Sequence, residues 1–204
     1  MNDAGDTVHV VDDDAAIRES LSFLLDTAGL KACLYESGHA LLARTGALEP
    51  GCIITDVRMP EMNGLELVER LKESGVRLPV IVLTGHADVA MAVEAMKAGV
   101  IEFLEKPFSD DALLRAVDTA MAVGKQAQGR DAERAELQRR LAELTARERE
   151  VFDAIVAGDS NKAAGLKLGI SPRTVEIYRA NVMTKMQAHS LSELVRMALA
   201  LERA

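Results

Sequence analysis

The chain has 204 residues, 49% of them hydrophobic and 27% charged, with a formal net charge of -8. That length allows one medium and one small domain, and the composition excludes disordered and fibrous classes. No apolar run approaches the roughly 18 residues that a membrane span needs, and the acidic start MNDAGDTVHVVDDD is unlike a signal peptide, so the expected location is the cytoplasm, with no membrane partner. Cys33 and Cys52 lack CxxC spacing and His9, His39, His86 and His189 are scattered, which argues against a disulfide framework and a zinc site. The charge is uneven: residues 1–123 hold 10 Lys/Arg against 21 Asp/Glu, while 144–204 hold 9 against 7. An excess so slight is weak evidence for nucleic-acid binding, which must rest on pattern instead.

From Thr7 to about Ala122, short β-branched runs alternate with amphipathic stretches. The spacing predicts strands at Val8–Val11, Ala32–Tyr35, Cys52–Thr55, Val80–Leu83 and Glu102–Leu104, the central ones apolar on both faces as buried parallel strands must be. The first helix carries Ile17, Leu21, Leu24, Leu25 and Ala28 on one face and ends before Gly29. Further helices are expected over about Gly38–Thr45, Asn63–Ser74, Val89–Ala98 with Asp88 as cap, and Asp110–Val123. Strict alternation of this kind implies an α/β class, a doubly wound five-stranded parallel sheet whose ligands collect at the carboxyl ends of the strands.

Those ends carry the chemistry. Asp12, Asp13 and Asp14 follow the first strand, Asp56 the third, Thr84 the fourth and Lys106 the fifth. Unit charges roughly 4 Å apart interact by about 4 kcal/mol at an effective dielectric near 20, so the clustered acids call for a cation. An all-oxygen donor set suits Mg²⁺ better than Zn²⁺. Lys106 and Thr84 supply a charge and a hydroxyl suited to phosphoryl oxygens in an in-line transfer, which makes Asp56 the nucleophile. Asp14 reads as a helix cap.

With Asp12-Asp13, TDVRMP around Asp56, Gly64, LTG at Thr84 and LEKPF at Lys106, residues 1–123 resemble the receiver domain of bacterial two-component response regulators, with its CheY-like, flavodoxin-like fold. The resemblance implies Asp56 as phosphoacceptor, Mg²⁺ bound by Asp13, Asp56 and the Arg58 carbonyl with Asp12 acting through water, and a sensor histidine kinase as donor. It also implies that a shift at Thr84 is coupled to Phe103, either a rotating switch or a constant core residue, and to a dimer face at Val93 and Lys97. Phosphatases with a strand-end Asp nucleophile need a second Asp two residues on. Arg58 stands there, so no turnover enzyme is expected.

Residues 124–143 read as a largely helical linker. Leu137, Leu141 and Leu144 give it one apolar edge, either solvated or the start of a coiled coil, and one or two heptads are short for the latter. From 144 to 204 the chain reads as a small all-α domain. Helices are expected over Ala146–Ala157 and Asn161–Leu168, one from Pro172 to about residue 187 capped by Ser171, and one over Ser192–Arg203. In the third of these, Val175, Tyr178, Val182 and Met186 face inward. Arg173, Thr174, Glu176, Ile177, Ala180, Asn181 and Thr184 are left outside, a face that fits base contacts by Ile177 and Asn181 and phosphate contacts by Arg173, Arg179 and Lys185.

A small residue, Gly165, four before a turn at Gly169, and then a capped second helix make the layout of a helix-turn-helix. LTAREREVFDAIVAGDSNKAAGLKLGISPRTVEIYRANVMTKM resembles the LuxR/NarL output domain, and the whole chain resembles the FixJ-type branch of that family, whose members pair with a FixL-like, oxygen-sensing haem kinase. This implies a phosphorylation-dependent transcriptional activator that binds promoter DNA, forms a homodimer when phosphorylated and meets RNA polymerase. Whether phosphate acts by dimerisation or by releasing the output domain is left open, as is an adaptor role for the helical tail. Ala164-Gly165 departs from the family pattern, and a helix-interior glycine costs about 1 kcal/mol, so the second helix of the tail is expected to be weak.

Overall fold

The computed structural model describes residues 6–85 and 89–202. Strands and helices alternate in the first half: β1 (Thr7–Val11), α1 (Ala15–Thr27), β2 (Lys31–Tyr35), α2 (Gly38–Leu42), β3 (Gly51–Asp56), α3 (Gly64–Glu73), β4 (Val80–Thr84), α4 (Val89–Lys97) and β5 (Glu102–Glu105). Helices α5 (Asp110–Ala142), α6 (Ala146–Val156), α7 (Asn161–Leu168), α8 (Pro172–Met186) and α9 (Leu191–Glu202) follow. The chain forms two compact units, divided between Ala127 and Gln128. Among the described residues, no helix is long and apolar enough to cross a membrane. The expected Asp88 cap, together with His86 and Arg203, lies outside the described residues.

The sheet is parallel with strand order β2-β1-β3-β4-β5, the doubly wound topology expected from the alternation. Every residue of β3 and β4 is buried, as strands covered on both faces must be. On one face Cys52, Ile54 and Ile81 pack with Leu21 and Leu25 of α1 and Leu113 and Val117 of α5. On the other, Ile53 and Val82 pack with Leu41 of α2 and Leu67 and Leu71 of α3. Asp14 caps α1 by accepting from the Ala16 N–H at 2.8 Å, and Asn63 with Glu66 forms a capping box at α3. Helix α2 stops at Leu42, short of the expected Thr45, and a 3₁₀ turn over Thr45–Ala47 takes its place, since Gly46 disfavours further α-helix.

A buried polar tie fixes the β1–β2 edge. His9 is buried, with Nε2 3.0 Å from the Glu49 carbonyl oxygen and Nδ1 3.1 Å from the Tyr35 hydroxyl. A carbonyl only accepts, so Nε2 carries the proton and Nδ1 accepts from Tyr35. Burial pushes the His9 pKa below its ordinary value, against the opposing hydrogen bond to Glu49.

The fifth helix departs from expectation. It runs unbroken from Asp110 to Ala142, through Gly124 and Gly129, where a stop at Val123 and a looser start to the linker were predicted. Each glycine costs about 1 kcal/mol, but no proline or β-branched residue interrupts residues 124–142, and the absent side chain at Gly124 lets the helix lie against Pro79. The apolar edge of the former linker is not solvated. Leu137 is buried, and Leu141 and Leu144 pack on the core that Val151, Phe152 and Ile155 of α6 share with Val175, Val182 and Met186 of α8. Leu194 and Ala198 of α9 close that core.

Gly165 also differs from its sequence reading. A Cβ there would stand 2.7 Å from the Ile170 carbonyl oxygen, so the glycine is what lets the turn before α8 fold back onto α7. The same contact makes a bond, because the Ile170 N–H donates to the Gly165 carbonyl at 3.0 Å. The propensity cost expected of Gly165 in α7 is therefore set against the close turn that the glycine permits.

Two outcomes follow. Gly165→Ala is expected to lower the thermal midpoint of the second unit by several degrees, although propensity alone would stabilise it by about 1 kcal/mol; calorimetry decides the sign. The His9 contribution to stability is complete above the unfolded histidine value near 6.5 and is lost as pH falls through the lower folded value. Urea midpoints should therefore drop between pH 7 and 5 in the native chain, and His9→Gln should start lower at pH 7 and show a flatter profile.

Candidate functional site

Parallel topology brings the carboxyl ends of β1, β3, β4 and β5 to one rim. Asp12 follows β1, Asp56 is the last residue of β3, Thr84 ends β4, and Lys106 follows β5. The Lys106 ammonium bridges the two acids, 2.6 Å from Asp56 Oδ1 and 3.1 Å from Asp12 Oδ2. The three side chains are 24%, 10% and 4% exposed, in the order Lys106, Asp56, Asp12. The second oxygen of each acid takes a backbone N–H: Arg58 donates to Asp56 Oδ2 at 2.6 Å and Asp14 to Asp12 Oδ1 at 2.9 Å. Arg18 of α1 donates to the Asp12 carbonyl at 2.6 Å, holding the loop from behind. Gly64 opens α3 directly beneath the site, where any Cβ would collide with the Asp56 carbonyl oxygen.

Burial raises the pKa of Asp12 despite the Asp14 N–H and the Lys106 charge. Burial also works against the Lys106 charge, but its hydrogen bond to Asp56 and attraction from both acids outweigh that and hold its pKa above the ordinary lysine value. At rest Lys106 supplies one positive charge to this pair of acids. Asp13 stands apart and exposed, on the rim of an open cavity of about 840 Å³ that Arg58, Met59, Glu66 and Met91 also line. Among the described residues, no three His, Cys, Asp or Glu side chains are gathered into a ready metal cage.

Thr84 is buried, its Oγ1 3.9 Å from Met91 Sδ, and Phe103 packs half-buried with Met91 against the core. Val82 on β4 is paired in register with Phe103 on β5, so Thr84 and Phe103 occupy adjacent strands. Val93 and Lys97 are both exposed on α4.

In the second unit, Ser171 caps α8 by accepting from the Thr174 N–H at 3.0 Å, and Pro172 takes the first turn. Val175, Val182 and Met186 are buried, while Arg173, Glu176, Ile177, Ala180, Asn181 and Thr184 are exposed on the opposite side. Ile177 is 59% exposed, an apolar side chain set among polar and small ones. Two expected members do not stand free on this face. Arg179 donates to Asn161 Oδ1 at 2.6 Å, and Asn161 in turn reaches Glu176 at 3.3 Å, which ties α8 to the start of α7. Lys185 donates to Glu148 Oε2 at 2.6 Å and to the Glu143 carbonyl at 3.1 Å, which holds it in an internal ion pair.

The comparisons with known proteins bear on both units. Residues 8–118 match the response regulator receiver domain, and residues 142–198 match the luxR family of bacterial regulatory proteins. The chain belongs to the response regulators. It is 53% identical over 192 residues to the transcriptional regulatory protein FixJ of Azorhizobium caulinodans, covering 94% of this chain and 91% of that one. It is 48% identical to FixJ of Bradyrhizobium diazoefficiens over 94% of each chain. A crystal structure of full-length FixJ from B. japonicum superposes with a TM-score of 0.60 at 47% identity over 98% of both chains. This response regulator is a phosphorylation-dependent transcription regulator with a receiver domain and a LuxR-type DNA-binding domain, a family not classed as enzymes.

Sequence reasoning about this response regulator missed Arg18 and the Glu148–Lys185 pair. Glu148 had a signal: Thr145-x-x-Glu148 is a capping box, and the structure forms it, with the Thr145 N–H donating to Glu148 Oε2 at 2.8 Å. Lys185 and, secondarily, that N–H lower the Glu148 pKa. Arg18 had none, because its acceptor is a loop carbonyl at no helical spacing.

Lys106→Met tests the charge balance of the pocket. At pH 7 in chelator it should lose about 2–3 kcal/mol, less than the 3–5 of a fully buried pair because Lys106 keeps 24% exposure. Without the ammonium one carboxyl is pushed above its unfolded value, so the variant should regain stability relative to the native chain as pH falls from 7 to 5, as read from urea denaturation.

Proposed function

We propose that Asp56 is the phosphoacceptor of this regulator, taking a phosphoryl group from the histidine of a sensor kinase. The P–N bond of the donor breaks, a P–O bond forms to an Asp56 carboxylate oxygen, and the imidazole nitrogen leaves with the P–N electron pair and takes up a proton from solvent. The observation that carries this reading is the Lys106 bridge between buried Asp56 and Asp12, a fixed positive charge within 2.6 Å of the reacting carboxylate. Lys106 then holds a phosphoryl oxygen, and Thr84 donates its hydroxyl to another.

Receiver domains generally bind Mg²⁺ at this acidic pocket. Here the donors are all oxygens, the Asp12 carboxylate is buried beside that of Asp56, and Asp13 is exposed on the rim of the open cavity, which fits a hard divalent cation. Asp12, Asp13, Asp56 and the Arg58 carbonyl would hold it, Asp12 through water. Bound there, it supplies charge neutralisation for the incoming phosphoryl oxygens.

The added charge of about -1.5 to -2 draws Thr84 inward, Phe103 follows into the space behind it, and the α4 surface around Val93 and Lys97 changes. A near-complete switch needs a preference of about 5.5 kcal/mol, within reach of a few charge-assisted hydrogen bonds. We divide the chain into a receiver at 1–123, a linker at 124–143 and a DNA-binding domain at 144–204. In the last, Arg173 meets phosphate, and Ile177, Ala180 and Asn181 meet bases, with Thr174, Glu176, Arg179 and Lys185 at the margins of that face. The regulator acts in the cytoplasm as an activator, paired as a homodimer on promoter DNA beside RNA polymerase.

Acetyl phosphate with Mg²⁺ should place a single equivalent of phosphate on Asp56, located by peptide mass mapping, and should strengthen salt-sensitive binding to promoter DNA. Asp56→Asn should abolish both effects. Label on any other residue, or DNA affinity unmoved by phosphate, would overturn the assignment.

A further inference from the structure

We propose that the C-terminal turns of α5, residues 128–142, are a strap that positions α8, with Arg140 as the positioning residue for DNA binding. The inference rests on α8 as the reading helix. A helix ends with carbonyls that have no partner inside it, and a cation placed there gains from both the hydrogen bond and the helix dipole. Arg140 Nη1 donates to the carbonyl of Met186, the last residue of α8, at 3.2 Å. In the opposite direction Lys185, in the last turn of α8, donates to the Glu143 carbonyl just past the end of α5 at 3.1 Å. The two charged bonds join the same two helix ends reciprocally. A third repeats the pattern one element on, where Arg134 Nη2 donates to the Leu201 carbonyl near the end of α9 at 3.2 Å.

The rest of the strap supports its rigidity. Glu136 orients the Arg140 guanidinium at 2.9 Å, and buried Leu137 with Leu141 anchors the helix to the core. Adjacent Arg139 offers a built-in control. It is 60% exposed against 19% for Arg140, and it bonds to Glu136 and Glu143 within its own segment. Gln187, the residue that ends α8, adopts a left-handed φ of 55° without being glycine, so the turn after α8 has little freedom to compensate if Arg140 is withdrawn. Arg140 therefore acts on where α8 points and not on how much positive charge meets the duplex.

That distinction is measurable with the full-length chain, phosphorylated by acetyl phosphate, on a fluorescent duplex recovered by the native chain from a random pool. Arg140→Ala is expected to weaken binding about tenfold with an unchanged slope of log affinity against log salt, and Arg140→Lys to recover most of the loss. Arg139→Ala should stay within about twofold, and Arg173→Ala should reduce the slope by about 1. Amide exchange at residues 183–188 should quicken in Arg140→Ala while β3 keeps its protection. Equal losses from Arg139→Ala and Arg140→Ala, or a reduced slope in Arg140→Ala, would overturn the strap in favour of simple charge.

If Arg140→Ala fails to fold, Arg140→Gln carries the test, with faster exchange at residues 183–188 expected and native exchange overturning the proposal. The exchange result judges the strap even if α8 proves not to be the DNA-reading helix.

Discussion

The ammonium of Lys106 between Asp12 and Asp56 is the contact on which the first unit is organised. Two carboxylates close together at the buried end of a parallel sheet repel each other and lose hydration, a combination that folding tolerates only with a counter-charge in place. The sheet supplies it from a distance. Asp56 ends a central strand and Lys106 follows the edge strand β5, two positions away in the strand order. The bridge therefore exists only when β1, β3, β4 and β5 are all in register, and the resting pocket reports the integrity of four of the five strands. On the role proposed for Asp56, the same ammonium that quiets the acids at rest would meet a phosphoryl oxygen, so resting stability and acceptor chemistry would draw on one charge.

The second unit uses its cations differently. Its small positive excess is largely committed to structure: Lys185 to Glu148, Arg179 to Asn161, Arg134 and Arg140 to helix-end carbonyls. Arg173 is left exposed at the first turn of α8 beside a face whose character is set by Ile177, Ala180 and Asn181. Few phosphate contacts per copy imply modest affinity per copy and a shallow salt dependence for one domain alone. The internal use of arginine and lysine makes the geometry of α8, more than its charge, the quantity that the rest of the unit controls.

Much of this was legible in the sequence because it is written locally. Short β-branched runs, apolar on both faces, marked the strands, Asp14 and Ser171 announced helix starts, and acids and a lysine placed just after strand runs had to meet once the strands were parallel. The inward face of α8 followed from spacing at Val175, Val182 and Met186. What could not be read depends on partners far along the chain. Gly124 looked like a stop because glycine is a poor helix former, and only its contact with Pro79 explains its tolerance in α5. The small residue at Gly165 could be read as part of the turn, but the Ile170 carbonyl packed against it could not, and Lys185 looked free because Glu148 lies 37 residues away. In each case a tertiary contact supplied what the local reading lacked.

Gly64 ties two features that are separate in the sequence. The empty space where its side chain would be is filled by the carbonyl of the acceptor residue, so the first turn of α3 and the tip of β3 share one surface. The depth at which the acceptor sits is then a single mechanical variable, set by a hydrogen atom where other residues carry carbon. A relative that kept every acid and the lysine but carried alanine here would have to withdraw either the helix or the strand tip by a fraction of an ångström, and its oxygens would meet an incoming donor at a different reach.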